Sequence, residues 1–167
     1  MKNSGHAEHN FAKAIDALKQ IEYRGEVKFK REDILKELQT SPIGLDVIKA
    51  MRDSNIDIKL MNAPRFDGVR GEQQGNQISI FVDNIRNLRV AAQTIIHEMT
   101  HYKYGIGGCQ HAEAICFAME KMHITGRNHL TQEEWEYVKK LAIDNYPELK
   151  WERGGYGNYE QFKIVKP

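Results

Sequence analysis

The chain has 167 residues and carries 24 Lys and Arg against 23 Asp and Glu, a formal net charge of +1. The length suits one domain, residues 1–167, and the balanced charge disfavours nucleic acid as a partner. No stretch approaches the roughly 18 apolar residues that span a bilayer, and the opening lacks the apolar core of a signal peptide. We therefore expect no membrane association, and either a cytoplasmic location or delivery into a target cell as part of a larger protein.

Helical signals dominate the N-terminal third of the sequence. Apolar residues at helical spacing predict an amphipathic helix over residues 6–23, and a short strand through Val27 and Phe29 is expected after it. Residues 32–38 predict a second helix. Ser41 and Pro42 are typical of an N-cap and a first-turn proline, so a third helix should begin there.

Two runs with strand-like alternation follow, at residues 56–60 and 77–82. A glycine-rich segment, residues 67–75, separates them. The pattern predicts a hairpin or meander whose two strands are joined by a flexible connection.

The C-terminal half returns to helical patterns. One helix is predicted over residues 88–104, closed by Gly105, and another over about residues 110–123. Thr131 with Glu134 three residues later is a capping-box signature for a third. The tail from Trp151 carries no clear pattern. The fold class expected is α+β, with N-terminal helices, a small mostly antiparallel sheet and a helical C-terminal half.

The long helix contains the sequence His97-Glu98-Met99-Thr100-His101, an HExxH pattern. Spacing of four residues places both imidazoles on one helix face, where they can reach a single zinc ion. Two imidazoles and a carboxylate leave a fourth tetrahedral position for water. Glu98, about 100° around the helix, is then the candidate general base that takes the proton of that water. The pattern predicts a Zn²⁺-dependent hydrolase.

The third metal ligand is sought on the following helix. A helical wheel places Glu113 and Glu120 together, opposite a stripe of apolar residues, so either carboxylate could face the metal. His111 would point to the apolar side unless the first turn frays. Spacing alone leaves these three candidates open.

A resemblance narrows the choice. A strand, a helix with HExxH and a second helix with a glutamate are similar to the zincin metallopeptidases of the gluzincin type. The segment from Glu113 to Ala118 resembles the E-A-x-x-F-A segment of ImmA/IrrE-type peptidases, in which that glutamate is the third ligand. The resemblance implies a zincin-like fold, a metal held by His97, His101 and Glu113, and peptide hydrolysis with Glu98 as base.

The layout of residues 38–58, a strand and the zinc helix also resembles the metallopeptidase modules of bacterial polymorphic toxins and effectors. That resemblance implies a protein or peptide substrate and an inhibitor or immunity protein as candidate partners. In zincins an edge strand binds the substrate, and residues 77–82 are the nearest candidate. His123, Tyr156 and Tyr159 have the chemistry of a second donor to the reacting carbonyl oxygen.

Two alternatives to a peptidase remain. A non-catalytic domain could use the same residues as a structural zinc clamp or as a protein-binding surface, and a fourth protein ligand such as Cys109 or His111 would favour the clamp. A zinc amidase acting on a non-peptide amide would share the HExxH pattern. Cys109 and Cys116 are expected to be free thiols.

Overall fold

A computed structural model of the chain describes residues 21–23 and 29–167. The helix predicted over residues 6–23 lies outside the described residues except at its end, where the prediction is wrong because residues 21–23 form a strand. Val27 also lies outside them, and Phe29 is at a bend. The described elements are four strands, β1 (Ile21–Tyr23), β2 (Asp57–Met61), β3 (Gly71–Gln74) and β4 (Gln77–Phe81), and five α-helices, α1 (Arg31–Leu38), α2 (Pro42–Asp53), α3 (Leu88–Tyr104), α4 (Gln110–Thr125) and α5 (Gln132–Asn145).

Three helices of the described residues have a boundary at a local signal that the sequence displays. The Ser41 hydroxyl accepts the amide proton of Gly44 and caps α2, and Thr131 forms the predicted capping box with Glu134 at the start of α5. Gly105 ends α3 with a left-handed backbone, φ +60°. The α+β class and the five helices are therefore as predicted.

The sheet has the order β1-β2-β4-β3. The β1–β2 and β2–β4 pairs are parallel, and only β3–β4 is antiparallel. The prediction of a mostly antiparallel sheet is thus wrong, and β2 and β4 do not form a hairpin. The segment expected to be a flexible connection contains β3, whose residues pair with β4 through backbone groups although their side chains are polar.

Two apolar cores lie on either side of α3. The first joins the sheet to α1, α2 and the apolar side of α3, and the second joins α4 and α5 to the C-terminal segment. The tail from Trp151 forms neither helix nor strand but is tied down by isolated backbone bridges, Gly107 with Tyr156 and Leu130 with Val165. Within the described part of the chain, no helix combines the length and the apolar character needed to cross a bilayer.

Candidate metal centre

Helix α3 is enclosed on the side that carries His97 as well as on its core side. His97 and Glu98 are 6% and 8% exposed, because α4 packs along α3 and Phe117 meets the His97 ring edge-on at 4.9 Å between centroids. The face of α3 that carries His97 is therefore covered by α4, and two cavities border the site.

The two histidines of the HExxH pattern converge on one carboxylate. His97 Nε2 lies 2.8 Å from Glu113 Oε2, and His101 Nε2 lies 3.2 Å from Glu113 Oε1. Ligand atoms about 2.0–2.1 Å from a tetrahedral zinc ion are roughly 3.3 Å from one another. Each histidine therefore lies at nearly the distance from Glu113 that a shared ion requires.

The other nitrogen of each ring is fixed by a partner. His101 Nδ1 donates to the carbonyl oxygen of Ile106 at 2.9 Å. In the neutral ring His101 Nε2 is then a bare acceptor facing the Glu113 carboxylate, which is also an acceptor. Two facing acceptors need a proton or a cation between them, so the donor set fits a metal ion.

His97 Nδ1 donates to Glu120 Oε2 at 2.8 Å, on the opposite edge of the ring from Glu113. Glu120 thus contacts the ring nitrogen that does not face Glu113. In this position Glu120 orients the imidazole and fixes its tautomer. Of the three candidates for the third ligand, Glu113 alone lies between the two histidines. His111 is stacked between Trp151 and Tyr159, 4.7 and 4.8 Å between ring centroids.

Cys116 offers a second ligand set that the sequence did not suggest. His97, His101 and Cys116 each present a ligand atom within 4.8 Å of the other two, so this cluster could hold a metal ion. Burial and the nearby carboxylates of Glu113, Glu98 and Glu120 raise the pKa of the Cys116 thiol well above 9.0. Burial and the nearby negative charges therefore oppose the thiolate form that would bind a metal. Cys116 and Cys109 are free thiols, as predicted.

The ionisable groups of the centre strongly shift one another's pKa values. Burial lowers the pKa of His97, but its hydrogen bonds to Glu113 and Glu120 outweigh burial and hold that pKa well above 6.5. Burial raises the pKa of Glu113, but hydrogen bonds from His101 and His97 bring it far below 4.5. These are the shifts expected of a carboxylate packed against imidazoles.

Glu98 differs from the other carboxylates of the centre. Within residues 29–167 it has no hydrogen-bond or ion-pair partner, although it is only 8% exposed. Burial is the main cause that raises its pKa above 4.5, with Glu113 and Glu120 adding to the rise. A buried carboxylate without a partner is costly and rare in proteins, so it is a candidate for a chemical role.

Two cavities meet at Glu98. The inner cavity, of about 210 Å³, lies between the residues that precede β3 and the facing sides of α3 and α4. The edge cavity, of about 310 Å³, lies between β3 and the Gly107–Gly108 segment. The residues that line both are Val69, Gly71, Glu98 and Tyr146.

Strand β3 forms the edge of the sheet beside this centre. The expectation that residues 77–82 are the substrate-binding edge is wrong, because β4 is flanked by β2 and β3. A Cβ atom on Gly71 would lie 2.9 Å from Thr94 Cγ2 and 3.3 Å from Glu98 Cγ. Only glycine lets the edge strand approach the HExxH helix this closely.

Of the three donors considered from the sequence, only Tyr156 lines a cavity of this centre. His123 pairs with the Ser41 hydroxyl near the C-terminal end of α4. The Tyr159 hydroxyl donates to the Tyr156 carbonyl at 2.7 Å and accepts from the Cys109 thiol at 3.1 Å. Tyr146 also lines both cavities, but the sequence analysis did not identify it as a site residue. The one local signal at this position is Pro147, which predicts that the helix ends near Tyr146.

No family model, no curated protein and no solved structure matches this chain, so its site is interpreted from its own geometry.

Proposed function

We propose that this chain is a zinc-dependent peptidase with a zincin-like arrangement, in which His97, His101 and Glu113 hold the metal and Glu98 is the general base. The observation that carries the proposal is the contrast within the centre. His97 and His101 both meet Glu113, while Glu98, buried and without a side-chain partner among the described residues, lines the two cavities beside them. A metal bound there would polarise the substrate carbonyl and acidify a water molecule.

The chain's own residues account for the proton transfers of amide hydrolysis. Glu98 removes a proton from the water as its oxygen bonds to the carbonyl carbon, and the C=O electron pair moves onto the carbonyl oxygen. When the C=O bond re-forms, the C–N bond breaks and the leaving nitrogen takes the proton from Glu98. The products are a carboxylic acid and an amine, and transfer of the acid's proton to the amine gives a carboxylate and an ammonium group. The raised pKa of Glu98 suits a group that must accept and then return a proton near neutral pH.

The outer edge of β3, which pairs with no strand among the described residues, supports an extended peptide as the substrate. An extended chain that adds to this edge would lie along the edge cavity, over Glu98 and His101. Backbone hydrogen bonds to β3 would hold it largely independently of sequence, and specificity would come from the side chains that line the cavities.

A second candidate function rests on Cys116. If its sulfur joined His97, His101 and Glu113 around the ion, the site would be closed by four protein atoms and would be a structural clamp. The raised pKa of the thiol opposes this set, since the metal would have to displace its proton.

One experiment separates the two functions. Zinc content and cleavage of fluorescent casein and of a quenched peptide library are measured for the wild type, Glu98→Gln and Cys116→Ser. We expect Glu98→Gln to keep zinc and lose about 10²–10⁴-fold in kcat, as for removal of a general base. Cys116→Ser should keep both zinc and activity. Full activity in Glu98→Gln would refute the peptidase mechanism, and loss of zinc in Cys116→Ser would favour the clamp.

A further inference from the structure

Tyr146 directly follows α5 and lines the same two cavities as Glu98. We propose that the Tyr146 hydroxyl is a catalytic donor, which hydrogen-bonds the carbonyl oxygen as that oxygen becomes negative. The proposal rests on the peptidase function and adds a residue to it.

Tyr146 lines the cavity beside the proposed metal centre. It shares the lining of the edge cavity with His101 and with Glu113, the carboxylate between the two histidine Nε2 atoms. A metal held by His97, His101 and Glu113 would border this cavity. A substrate carbonyl bound there would lie near both the metal and Tyr146, so the O–H group could stabilise the charge that develops on its oxygen.

Tyr146 is held in place before any substrate binds. Its carbonyl oxygen accepts from Gln110 Nε2 at 3.0 Å, and its amide donates to Ala142 at 3.0 Å. Its ring lies against Phe117, 6.3 Å between centroids. A donor fixed in this way needs little reorganisation when charge develops, which is the condition for effective transition-state stabilisation.

The alternative donors are worse placed. The Tyr159 hydroxyl is occupied by the Tyr156 carbonyl and the Cys109 thiol. Tyr156 lines only the edge cavity and is 58% exposed, so solvent competes for its hydroxyl. Tyr146 is half-buried, its backbone position is fixed, and it lines both cavities of the centre.

The test compares Tyr146→Phe with Tyr137→Phe, a matched change at an exposed tyrosine of the same helix. Zinc affinity, kcat, KM and the affinity for a peptide phosphonamidate, which has the shape and charge of the transition state, are measured on the full chain. We expect Tyr146→Phe to lower kcat and phosphonamidate affinity by about 10²-fold each, with KM and zinc affinity unchanged. Tyr137→Phe should match the wild type.

Two results would overturn the proposal. If Tyr146→Phe keeps the wild-type kcat and phosphonamidate affinity while the wild type cleaves peptides, the donor is another group and the peptidase function survives. If Tyr146→Phe loses zinc affinity in proportion to kcat, Tyr146 only positions Glu113. A wild type that neither cleaves peptides nor binds the phosphonamidate would refute the underlying function itself.

Discussion

Two buried histidines, one on α3 beside α4 and one in α4 itself, are nearly equal in exposure but differ in their neighbours. His97 of α3 is 6% exposed and has carboxylates at both ring nitrogens, Glu120 at Nδ1 and Glu113 at Nε2. His123, in the last turn of α4, is 4% exposed and has the Ser41 hydroxyl at Nδ1. The pKa of His97 is raised, whereas burial lowers that of His123.

The two environments show which neighbours make a buried histidine a candidate metal ligand. Burial alone favours the neutral ring, and a hydroxyl partner satisfies it without adding charge. Two carboxylates add negative charge that a protonated ring or a metal ion can balance. The Ser41–His123 pair links the start of α2 to the end of α4 and has the character of a structural contact.

The largest expected effect comes from removing each histidine in turn. His97→Ala should abolish peptide cleavage and weaken zinc binding by more than the roughly 10–100-fold that loss of an outer partner costs, since a ligand itself is lost. His123→Ala should leave zinc binding intact and lower the free energy of unfolding by about 1–3 kcal/mol, because the buried Ser41 hydroxyl loses a partner. Zinc analysis by mass spectrometry and urea denaturation of the same samples measure both effects.

This comparison also provides a control for folding. If His123→Ala lost zinc as completely as His97→Ala, the metal centre would depend on the general stability of α4 rather than on particular ligands. If His97→Ala kept zinc at full occupancy, the metal would be bound elsewhere, and the proposed centre would be wrong.

The next effect comes from the two groups that fix Nδ1. Glu120→Gln keeps the shape of the side chain but removes its charge, so His97 becomes a weaker base, and zinc affinity should fall about 10–100-fold. Ser41→Ala removes the corresponding partner of His123 and the cap of α2, at a cost of about 1–2 kcal/mol in unfolding free energy. Zinc affinity measured by competition with a chelator should be unchanged in Ser41→Ala. Equal zinc affinities in the two variants would mean that Glu120 does not orient His97 for metal binding.

Local signals made the helices predictable. The cap at Ser41, the capping box at Thr131 and the glycine at Gly105 are short-range features, and each fixes an element boundary. The HExxH spacing is equally local, because four residues in one helix determine that His97 and His101 share a face. The structure brings both rings to Glu113, the glutamate that the resemblance to zincins implied.

Long-range pairing was not predictable in the same way. The parallel contact of β2 with β4 depends on which strands meet after the chain folds back, and alternation within each strand carries no information on direction. Strand β3 reads Gly-Glu-Gln-Gln and lacks the apolar alternation of a buried strand, because it is an edge strand held by its backbone. Cys116 and Tyr146 were missed for a similar reason, since their relevance comes from packing between helices.

The smallest effect concerns protons, and it distinguishes the two histidines without any mutation. The pKa of His97 is raised well above 6.5 in the metal-free protein, so zinc must displace a proton that this ring holds more tightly than a free histidine does. Burial lowers the pKa of His123, which favours its neutral ring. Titration calorimetry with zinc in buffers of different ionisation enthalpy should show protons released as the ion binds. His123→Ala should show the same number.

The opposite pKa shifts of His97 and His123 should also give opposite pH dependences to the stability of the metal-free protein. Because its folded pKa is raised, His97 contributes stability that is complete below its unfolded pKa of about 6.5 and is lost as the pH rises through the folded pKa. His123, whose folded pKa is lowered, contributes in the opposite sense, and its share is lost as the pH falls below about 6.5. Urea midpoints of the metal-free wild type and His123→Ala, measured across this range, should therefore diverge most at neutral pH and converge on the acid side. Midpoints that ran parallel at every pH would mean that burial does not shift the pKa of His123, and the contrast between the two histidines would lose its electrostatic basis.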